Sequence, residues 1–412
     1  MKTIWFISHS AMPPHLAVRT RTNKFAKYLT KKGYNVEIFA ASTIHNSDIN
    51  LINDNSTLFI EKEYEGVKYN HIRTSNYSGN GISRIINMLQ FPFRLSKVSK
   101  KKKVKPDVII CNPQSVFAVI PYLISKKIDS KFILDVRDLW TESIVDFLGY
   151  SQKNPIIQFL YSVEKWVFKK SDKIIFSMEG GKDYLIDRGI NKKMSLSKVH
   201  HITNGFDLDD FNYNKLNYPL NDDLLENKDI FKVVYTGAIR EANNISFLVD
   251  TAKEIQNSGI KDIQFLIYGE GPDKRKLEER CKRENINNIH FKGQVEKKFI
   301  PYILSTSNLN LLNYKQVNTW KYGGSQNKLS EYIASGKPTL SSIDMNYNQI
   351  KKFNCGKICS TNDPNDFAKE IISFYEMSSE KYAVYCNNAE KASQELDYKK
   401  LVDKLEEIIL EA

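Results

Sequence analysis

Residues 322–338 hold the stretch from which the rest of the chain can be interpreted, Tyr322-Gly-Gly-Ser-Gln-Asn-Lys-Leu-Ser-Glu-Tyr-Ile-Ala-Ser-Gly-Lys-Pro338. The two glycines free the backbone, and Ser325 is predicted to cap the helix that follows by accepting from an N–H one turn on. The helix is expected to close at Gly336, with Pro338 beyond it. Its N-terminus would present unpaired N–H groups and a partial positive charge, which suit a phosphate. An ordinary capped surface helix is the alternative.

The start of this helix supplies two kinds of candidate residue. Lys328 and Glu331 are three residues apart, so both lie on one side of the helix. We assign them catalytic roles, because Lys328 can contact an anion and Glu331 can accept hydrogen bonds from sugar hydroxyls. The substrate-binding candidates are Gly324, Ser325, Gln326 and Asn327.

Short apolar runs alternate with amphipathic segments on both sides of this stretch. The alternation predicts parallel sheets covered by helices on both faces, an α/β fold. Residues 211–228 are polar and without a clear period, so they are predicted to be a connector, and residues 379–410 are predicted to form one long helix. The predicted strands are 3–7, 35–39, 107–111, 131–134, 173–176, 199–202, 231–235, 263–268, 289–291, 309–312 and 339–341.

A chain of 412 residues is too long for one core and predicts two doubly wound domains. We place the N-terminal domain at 1–204 and the C-terminal domain at 205–385. The terminal helix, from about 386 to 412, is expected to pack back on the N-terminal domain. Ligands are expected at the carboxyl ends of the strands.

The composition favours a cytoplasmic protein. The apolar run at residues 3–7 is too short for a signal peptide, and no stretch has the apolar length of a membrane span. The five cysteines are scattered and fit neither a disulfide framework nor a paired zinc site. No H-E-x-x-H, G-x-S-x-G or Walker loop is present, which argues against the commonest hydrolase and NTPase classes, and no metal or other cofactor is expected.

The basic residues are concentrated in one region. Residues 66–106 contain ten Lys or Arg and no Asp or Glu, against a net charge of +12 for the whole chain. Residues 81–90 place Ile82, Ile85, Ile86 and Leu89 on one helical stripe. We therefore predict that the basic segment 84–105 binds the anionic inner face of the cell membrane. The alternative is a helix packed on the sheet with a solvated lysine end. Nucleic acid is not an expected partner, because no DNA- or RNA-binding motif is present.

Two glycine turns follow predicted strands in the second domain. Gly237 lies in Tyr235-Thr-Gly-Ala-Ile-Arg240, and Arg240 can hold a diphosphate with its planar guanidinium. Gly269 and Gly271 follow the next strand and can bring backbone close to a nucleotide, although a plain strand-to-helix turn has the same sequence. A solvated loop arginine remains the alternative for Arg240.

In the first domain a strand ends in Leu134-Asp-Val-Arg-Asp-Leu-Trp-Thr-Glu-Ser143. Asp138 and Glu142 are four residues apart and would share a face of a helical turn. We take Asp138 as a catalytic candidate and Arg137 and Glu142 as substrate-binding candidates. The alternative is a capping turn with Trp140 in the core.

His9 and Arg19 are further substrate-binding candidates in the first domain. His9 follows the first predicted strand, and Arg19 begins the next predicted helix. Both can therefore line the edge of the sheet at which its strands end.

Taken together, these motifs resemble the retaining glycosyltransferases of family 4, which have the GT-B architecture of two Rossmann-like domains facing across a cleft. The resemblance covers nearly the whole chain and is greatest with bacterial enzymes of capsule, O-antigen and other surface-polysaccharide synthesis. The matching pieces, in order, are 135–143, 204–207, 235–237, 268–272 and 325–338.

The resemblance implies transfer of a hexosyl or N-acetylhexosaminyl group from a nucleotide diphosphate sugar, with UDP the expected nucleotide. The acceptor would be a hydroxyl of a glycan or of a polyprenyl-diphosphate-linked sugar. No metal would be required, and the enzyme would be cytoplasmic and peripheral on the inner face of the membrane.

The resemblance also assigns residues, with departures. Glu331 matches the second glutamate of the family's E-x7-E pair, which implies ribose binding, but the first falls at Gly323. The family's paired arginine and lysine for the diphosphate are missing from their places, and Arg240 and Lys328 are the available substitutes. Asp138 neighbours the place of the family's sugar-contacting histidine, which Arg137 occupies.

Two other functions remain open at this point. One is a sugar-nucleotide 2-epimerase of the same architecture, which would need no acceptor. The other is a non-catalytic GT-B subunit that binds a partner transferase, a possibility raised by the missing glutamate and basic pair.

Overall fold

The computed structural model describes residues 2–16, 20–44, 47–77, 79, 81–112 and 115–412 of the chain. They form two compact units. Unit 1 comprises residues 1–203 together with 398–412, and unit 2 comprises residues 204–397. The chain thus leaves unit 1 at Thr203 and returns to it at Tyr398, rather than near residue 386.

Unit 1 is built on an eight-stranded sheet in the order β3-β4-β2-β1-β5-β6-β7-β8. Every neighbouring pair is parallel except the antiparallel pair β3 and β4 at one edge. The strands are β1 Thr3–Ile7, β2 Asn35–Ala41, β3 Phe59–Tyr64, β4 Val67–Ile72, β5 Val108–Cys111, β6 Lys131–Val136, β7 Lys173–Phe176 and β8 Val199–His201. Strands such as β1 are buried along their whole length, as expected when helices cover both faces of a parallel sheet.

The helices of unit 1 include one from the far end of the chain. Tyr398 packs edge-on against Phe25 with ring centroids 5.4 Å apart, which joins the last helix to the first in the same apolar core. The helices are α1 Arg21–Lys31, α2 Ile82–Lys101, α3 Val119–Lys127, α4 Trp140–Leu148, α5 Pro155–Lys170, α6 Gly181–Asp187 and α16 Tyr398–Leu410.

Unit 2 is built on a six-stranded sheet in the order β11-β10-β9-β12-β13-β14, with all neighbouring pairs parallel. Its strands are β9 Phe231–Thr236, β10 Ile263–Tyr268, β11 Ile289–Gly293, β12 Leu309–Leu312, β13 Thr339–Ser341 and β14 Gly356–Ile358. The helices of unit 2 pack on its sheet through two clusters of buried apolar residues. The helices are α7 Leu208–Asn217, α8 Asp223–Glu226, α9 Ile245–Asn257, α10 Lys274–Arg283, α11 Ile300–Thr306, α12 Asn327–Ala334, α13 Gln349–Phe353, α14 Pro364–Tyr375 and α15 Ser379–Glu395.

The two ends of unit 2 lie side by side. The Phe206 N–H donates to the Leu396 carbonyl at 3.2 Å, and Phe206 forms an isolated parallel bridge with Asp397. This pairing interrupts the helix that was predicted over residues 379–410, so α15 and α16 are separate.

The predicted α/β architecture with two Rossmann-like sheets is confirmed, and two local predictions are wrong. Residues 211–228 are not only a connector, because they include most of α7 and all of α8. The Asp207 side chain caps α7 by accepting from the Asp210 N–H at 3.1 Å, and Asp222 caps α8 in the same way. The edge strands β3 and β14 and the strand β4 next to β3 were not predicted.

Candidate functional site

The glycine turns of unit 2 bring three strand ends into contact. The Gly237 N–H donates to the Tyr268 carbonyl at 2.9 Å, and the Gly269 N–H donates to the Gly293 carbonyl at 2.8 Å. A Cβ atom on Gly269 would lie 1.8 Å from the Gly237 oxygen, and one on Gly271 would lie 2.1 Å from the Ile239 oxygen. The glycines at 269 and 271 are therefore needed for backbone-to-backbone packing. Their approach to a nucleotide remains a prediction.

Lys328 places a cation at the ends of these strands. Its Nζ atom donates to the Tyr235 hydroxyl at 2.9 Å. It also lies 4.4 Å from the Tyr235 ring centroid and 4.7 Å from that of Tyr314. A Cβ atom on Gly237 would lie only 2.9 Å from this Nζ. We call this arrangement of Lys328, Tyr235 and Tyr314 the lysine cage. The cage puts the ammonium beside the glycine turn of β9, stabilised by two aromatic faces.

The electrostatics of the cage favour an anionic ligand. Burial lowers the pKa of Lys328 to about 7, and the nearby positive charge of Arg240 acts in the same direction. Glu331 opposes this shift more weakly. Arg240 is exposed just beyond the β9 turn. Among the residues that the structure describes, no carboxylate forms an ion pair with Lys328 or Arg240. An anion bound here would remove the repulsion between the two cations and favour the charged form of Lys328.

The N-terminus of α12 lies next to the cage, but Ser325 does not cap it. The helix begins at Asn327 after Gln326, and no side chain caps its first turn. The Ser325 hydroxyl instead accepts from the Asn204 N–H at 2.6 Å, and the Asn204 side chain donates to the Ser325 carbonyl at 2.7 Å. The predicted cap is therefore wrong, because a residue distant in sequence occupies the hydroxyl.

Glu331 and Gly323 lie on either side of this helix start. The Glu331 carboxylate lies 3.6 Å from the Lys297 ammonium and is half-buried. Gly323 has a φ of +80°, and a Cβ atom there would lie 3.0 Å from the Asn346 oxygen. The family resemblance places a glutamate at residue 323. The backbone conformation at that residue favours glycine. Gly324 is adjacent, where a Cβ atom would meet the Gln326 side chain at 2.2 Å.

At the corresponding strand ends of unit 1, two arginines share one carboxylate. Arg21 binds Asp135 through Nε at 3.2 Å and Nη2 at 3.0 Å, and Arg137 Nε binds it at 3.0 Å. Burial alone would raise the pKa of Asp135, but the two guanidinium charges outweigh it and lower that pKa. Arg137 also donates to the Thr22 hydroxyl at 2.6 Å. Arg137 is therefore bound within unit 1 to Asp135, and it shares this carboxylate with Arg21, which was not singled out from the sequence.

Asp138 and Glu142 do not share a helical face. Asp138 is exposed before α4 begins, whereas Glu142 is buried in its first turn. The Glu142 carboxylate lies 4.0 Å from Arg188 Nε, and that guanidinium stacks 3.5 Å over the Tyr161 ring. Glu142 is thus part of a buried contact between helices, and Asp138 alone is open to solvent.

His9 lies at the end of β1, where the sequence placed it. Its Nε2 atom lies 2.7 Å from Asn87 Oδ1, a contact that the sequence did not predict because Asn87 is 78 positions away on α2. Arg19 lies outside the described residues.

No three His, Cys, Asp or Glu side chains in the part of the chain that the structure describes come together as a group that could hold a metal ion. No helix described here combines the length and the apolar character needed to cross a bilayer.

Two family models match the sequence. Residues 18–210 match the model described as Glycosyltransferase Family 4, and residues 230–377 match the model described as Glycosyl transferases group 1. A 2-deoxystreptamine N-acetyl-D-glucosaminyltransferase from Niallia circulans is 30% identical over 135 residues. That alignment spans about a third of either protein, 32% of this chain and 32% of the relative.

Solved structures resemble the whole chain at low sequence identity. Sucrose-phosphate synthase from Thermosynechococcus elongatus superposes with a TM-score of 0.74 at 16% identity, covering 100% of this chain and 99% of that one. The Anabaena protein HepE, solved with UDP and glucose, gives 0.65 at 14% identity with 100% of both chains covered. An E. coli trehalose-6-phosphate structure with UDP-2-fluoro glucose gives a TM-score of 0.74 at 10% identity. The match covers 99% of this chain and 98% of that one.

Two successive parts of the chain thus match models of glycosyltransferase domains, and the whole chain shares its two-domain fold with these solved structures.

Proposed function

We propose that this chain is a retaining glycosyltransferase that moves a hexosyl or N-acetylhexosaminyl group from a UDP-sugar to a hydroxyl of a glycan or polyprenyl-linked acceptor in bacterial surface-polysaccharide synthesis. The observation that carries this proposal is the lysine cage: Lys328 Nζ is 2.9 Å from the Tyr235 hydroxyl, at the strand ends of unit 2 and without a carboxylate partner among the described residues. A site of this kind suits the diphosphate of a sugar donor.

The chemistry follows from where charge develops. As the bond between the sugar C1 atom and the diphosphate oxygen breaks, negative charge builds on the departing nucleoside diphosphate. The Lys328 ammonium, the Arg240 guanidinium and the N–H groups at the start of α12 would stabilise that charge without reorganising. The acceptor hydroxyl forms the new bond to C1, and its proton passes to the departing diphosphate oxygen, so that the products are the glycoside and the nucleoside diphosphate. In this proposal Lys328 and Arg240 stabilise the departing diphosphate, and no metal takes part.

The nucleotide and the sugar are inferred from similar proteins. HepE and the trehalose-6-phosphate structure hold UDP or a UDP-sugar, and the Niallia circulans relative is named as an N-acetyl-D-glucosaminyltransferase. Glu331, half-buried in α12, is the proposed partner of the ribose hydroxyls. Asp138, exposed at the end of β6, is the proposed contact of unit 1 with the transferred sugar.

The direct test is transfer from UDP-glucose, UDP-galactose and UDP-N-acetylglucosamine to octyl glycosides, with the anomeric configuration of the product read by NMR. Arg240→Ala is expected to lower kcat about 100-fold. Lys315→Ala is the matched control, since Lys315 pairs with Glu241 nearby on the surface. Inversion at C1 would contradict the retaining mechanism. Release of free sugar without any acceptor requirement would instead favour the epimerase.

The non-catalytic subunit remains a second candidate because the backbone at Gly323 favours glycine where a family glutamate is expected. Thermal-shift titration separates the two. An enzyme should be stabilised by UDP, whereas indifference to UDP, GDP and ADP would favour the non-catalytic subunit.

We further propose that α2 docks on an anionic membrane surface at the cytoplasmic face. Five apolar side chains on its outer side are between 43% and 75% exposed: Ile82, Ile85, Ile86, Leu89 and Phe93. The same outer side continues with the exposed cations Lys97, Lys100 and Lys101. An apolar stripe followed by lysines matches a bilayer of acyl chains beneath anionic head groups.

Two lysines of the basic segment 84–105 are bound to other groups of unit 1. Lys102 Nζ binds Glu37 at 2.6 Å and Glu61 at 2.8 Å, and Lys105 Nζ donates to the Ser99 carbonyl at 2.8 Å, near the end of α2. These two lysines are therefore engaged within unit 1 and contribute less to docking than the exposed ones, each of which is worth roughly 1 kcal/mol at an anionic surface.

Flotation with vesicles tests the docking. The chain should float with phosphatidylcholine vesicles that contain phosphatidylglycerol, and much less with phosphatidylcholine alone. The double variant Ile85→Ser and Ile86→Ser should lose flotation. Ile156→Ser, which removes an equally exposed isoleucine from α5, should keep it. Equal flotation of both variants would contradict a role for α2.

A further inference from the structure

A small cavity lies at the strand ends of unit 2, beside the lysine cage. It is formed by residues that follow β12, β13 and β14 and by the start of α9. We call it the polar pocket, and its lining includes two aromatic rings, three hydroxyls and an amide: Phe247, Tyr314, Ser342, Ser360, Thr361 and Asn244. Its volume of about 90 Å³ has room for about three waters at about 30 Å³ each. A single sugar substituent therefore fits, but a whole hexose ring does not.

One hydroxyl of the polar pocket has no task within the protein. Ser342 is only 8% exposed, and its Oγ atom has no hydrogen-bond partner among the described residues. The neighbouring Asn313 donates to the Asn243 and Asn244 carbonyls, both at 2.7 Å, while its Oδ1 atom has no partner in the same part of the chain. Because buried polar groups are normally hydrogen-bonded, the unused Ser342 hydroxyl indicates a ligand with polar atoms.

The lining also determines the kind of group that fits. No Lys, Arg, Asp or Glu side chain is among the described residues that line the polar pocket, so an ionised substituent would have no counter-charge there. An acetamido group is neutral and has one N–H donor, one carbonyl acceptor and one methyl group. The Ser342 hydroxyl can donate to the carbonyl, an amide oxygen of the lining can accept from the N–H, and the rings of Phe247 and Tyr314 can contact the methyl group.

Tyr314 joins the polar pocket to the lysine cage. The residue lines the pocket, and its ring centroid lies 4.7 Å from Lys328 Nζ. In a nucleotide sugar the diphosphate oxygen is bonded to C1, and C2 is the next atom of the sugar ring. A substituent on C2 can therefore contact Tyr314 while the diphosphate is bound to Lys328.

We propose that the polar pocket receives the 2-acetamido group of the donor sugar, with the Ser342 hydroxyl donating to the acetamido carbonyl. The chain then selects an N-acetylhexosaminyl donor over a hexosyl donor. This inference rests on the proposed glycosyltransferase function and narrows the donor class of that same site.

The first test measures binding by calorimetry, independently of turnover. The unmodified protein should bind UDP-N-acetylglucosamine more tightly than UDP-glucose. Ser342→Ala should reduce this preference about tenfold, the effect of one lost hydrogen bond. Its thermal unfolding should match that of the unmodified protein, because the lost hydroxyl binds no described residue. Ser258→Ala, at the other end of α9, is the matched control and should keep the preference.

The second test narrows the polar pocket from an exposed position. Ser360→Leu should lower the ratio of kcat/KM for UDP-N-acetylglucosamine to that for UDP-glucose at least tenfold, with octyl glycosides as acceptors, because the larger side chain competes with the acetamido group. Ser379→Leu, at another exposed serine of unit 2, is the control for added bulk and should leave the ratio unchanged.

Each failure has its own signature. A chain that binds neither UDP nor any UDP-sugar overturns the proposed function itself. Where UDP binds, equal affinity for the two UDP-sugars in the unmodified protein, or an unchanged preference in either pocket variant, overturns the polar pocket alone. Tighter binding of UDP-glucuronic acid than of UDP-N-acetylglucosamine would also overturn it, since the preferred substituent would then be an anion.

Discussion

At the strand ends of unit 2, Lys328 and Arg240 have no carboxylate partner among the described residues, whereas at the strand ends of unit 1 the cations Arg21 and Arg137 share Asp135. Burial, together with the repulsion from Arg240, lowers the pKa of Lys328, and a bound anion would offset that repulsion. In unit 1 a carboxylate already pairs with both arginines, which leaves less uncompensated positive charge there than at the two unpaired cations of unit 2. The contrast supports the proposed diphosphate site in unit 2.

Removing the balancing carboxylate in unit 1 should have the largest effect. Asp135→Ala leaves two buried guanidinium groups without their partner and is expected to cost about 3–5 kcal/mol of unfolding free energy. Urea denaturation followed by circular dichroism measures the loss. Asp172→Ala, whose carboxylate is a more exposed partner of Lys126, serves as control. Equal stability losses in the two variants would contradict a special role for the buried cluster.

Removing the unbalanced cation in unit 2 should reduce activity rather than stability. Lys328→Ala is expected to lower kcat/KM about 100- to 1000-fold, or about 2.7–4 kcal/mol, as for the loss of one preorganised donor at a developing charge. Lys315→Ala should change it less than twofold. A Lys328→Ala enzyme with normal turnover would falsify the diphosphate site.

The same contrast predicts how nucleotide affinity depends on pH. The folded pKa of Lys328, about 7, lies below the ordinary value of a lysine, so this ammonium loses its proton as the pH rises above 7. Bound diphosphate favours the charged form. The Kd for UDP should therefore increase between pH 7 and pH 9, by up to about tenfold per pH unit, with proton uptake on binding.

Calorimetry in two buffers of different ionisation enthalpy measures both the affinity and the proton uptake. The neighbouring tyrosines should not contribute, because burial raises the pKa of Tyr235 and Tyr314. Lys328→Ala should bind UDP weakly and without this pH dependence. A constant Kd in the unmodified protein over the same range would argue against Lys328 as the titrating group.

Restoring the family's first glutamate should have the smallest effect. Gly323→Glu places a side chain at a φ of +80° and a Cβ atom 3.0 Å from the Asn346 oxygen, which should cost about 1–2 kcal/mol of stability. We expect no gain in kcat. Asn365→Glu, at an exposed position in the first turn of α14, is the control for an added charge and should keep both stability and activity. A more active Gly323→Glu enzyme would show that the glycine is not required by the backbone.

Local sequence patterns were sufficient for the alternation of strands and helices, because continuous apolar runs such as β1 and β10 must be buried. Local patterns were not sufficient where contacts between residues distant in sequence determine whether a strand forms or where a helix ends. Strands β3 and β4 carry many polar residues. They could not be recognised as strands without knowledge of the strands with which they pair. The helix over 379–410 has an unbroken charged pattern, and only the pairing of Phe206 with Asp397 shows where it divides.

The site shows the same limit. Arg240 and the glycine turns could be named because each follows a strand, and Lys328 because it lies at the start of a predicted helix. Tyr314 was missed, although an aromatic residue directly after β12 was a usable signal. Asn87 and Arg21 could not be found, since each acts through a partner far along the chain. The Ser325 cap failed for the same reason, because the Asn204 N–H binds its hydroxyl.

The pairing of Phe206 with Asp397 also has a consequence for experiments on the isolated parts. Because the two ends of unit 2 are hydrogen-bonded side by side, residues 204–397 form a cassette whose termini need no new anchoring. We expect that cassette to fold as an independent polypeptide and to tolerate circular permutation. Nucleotide binding and acceptor binding can then be assigned to separate gene fragments.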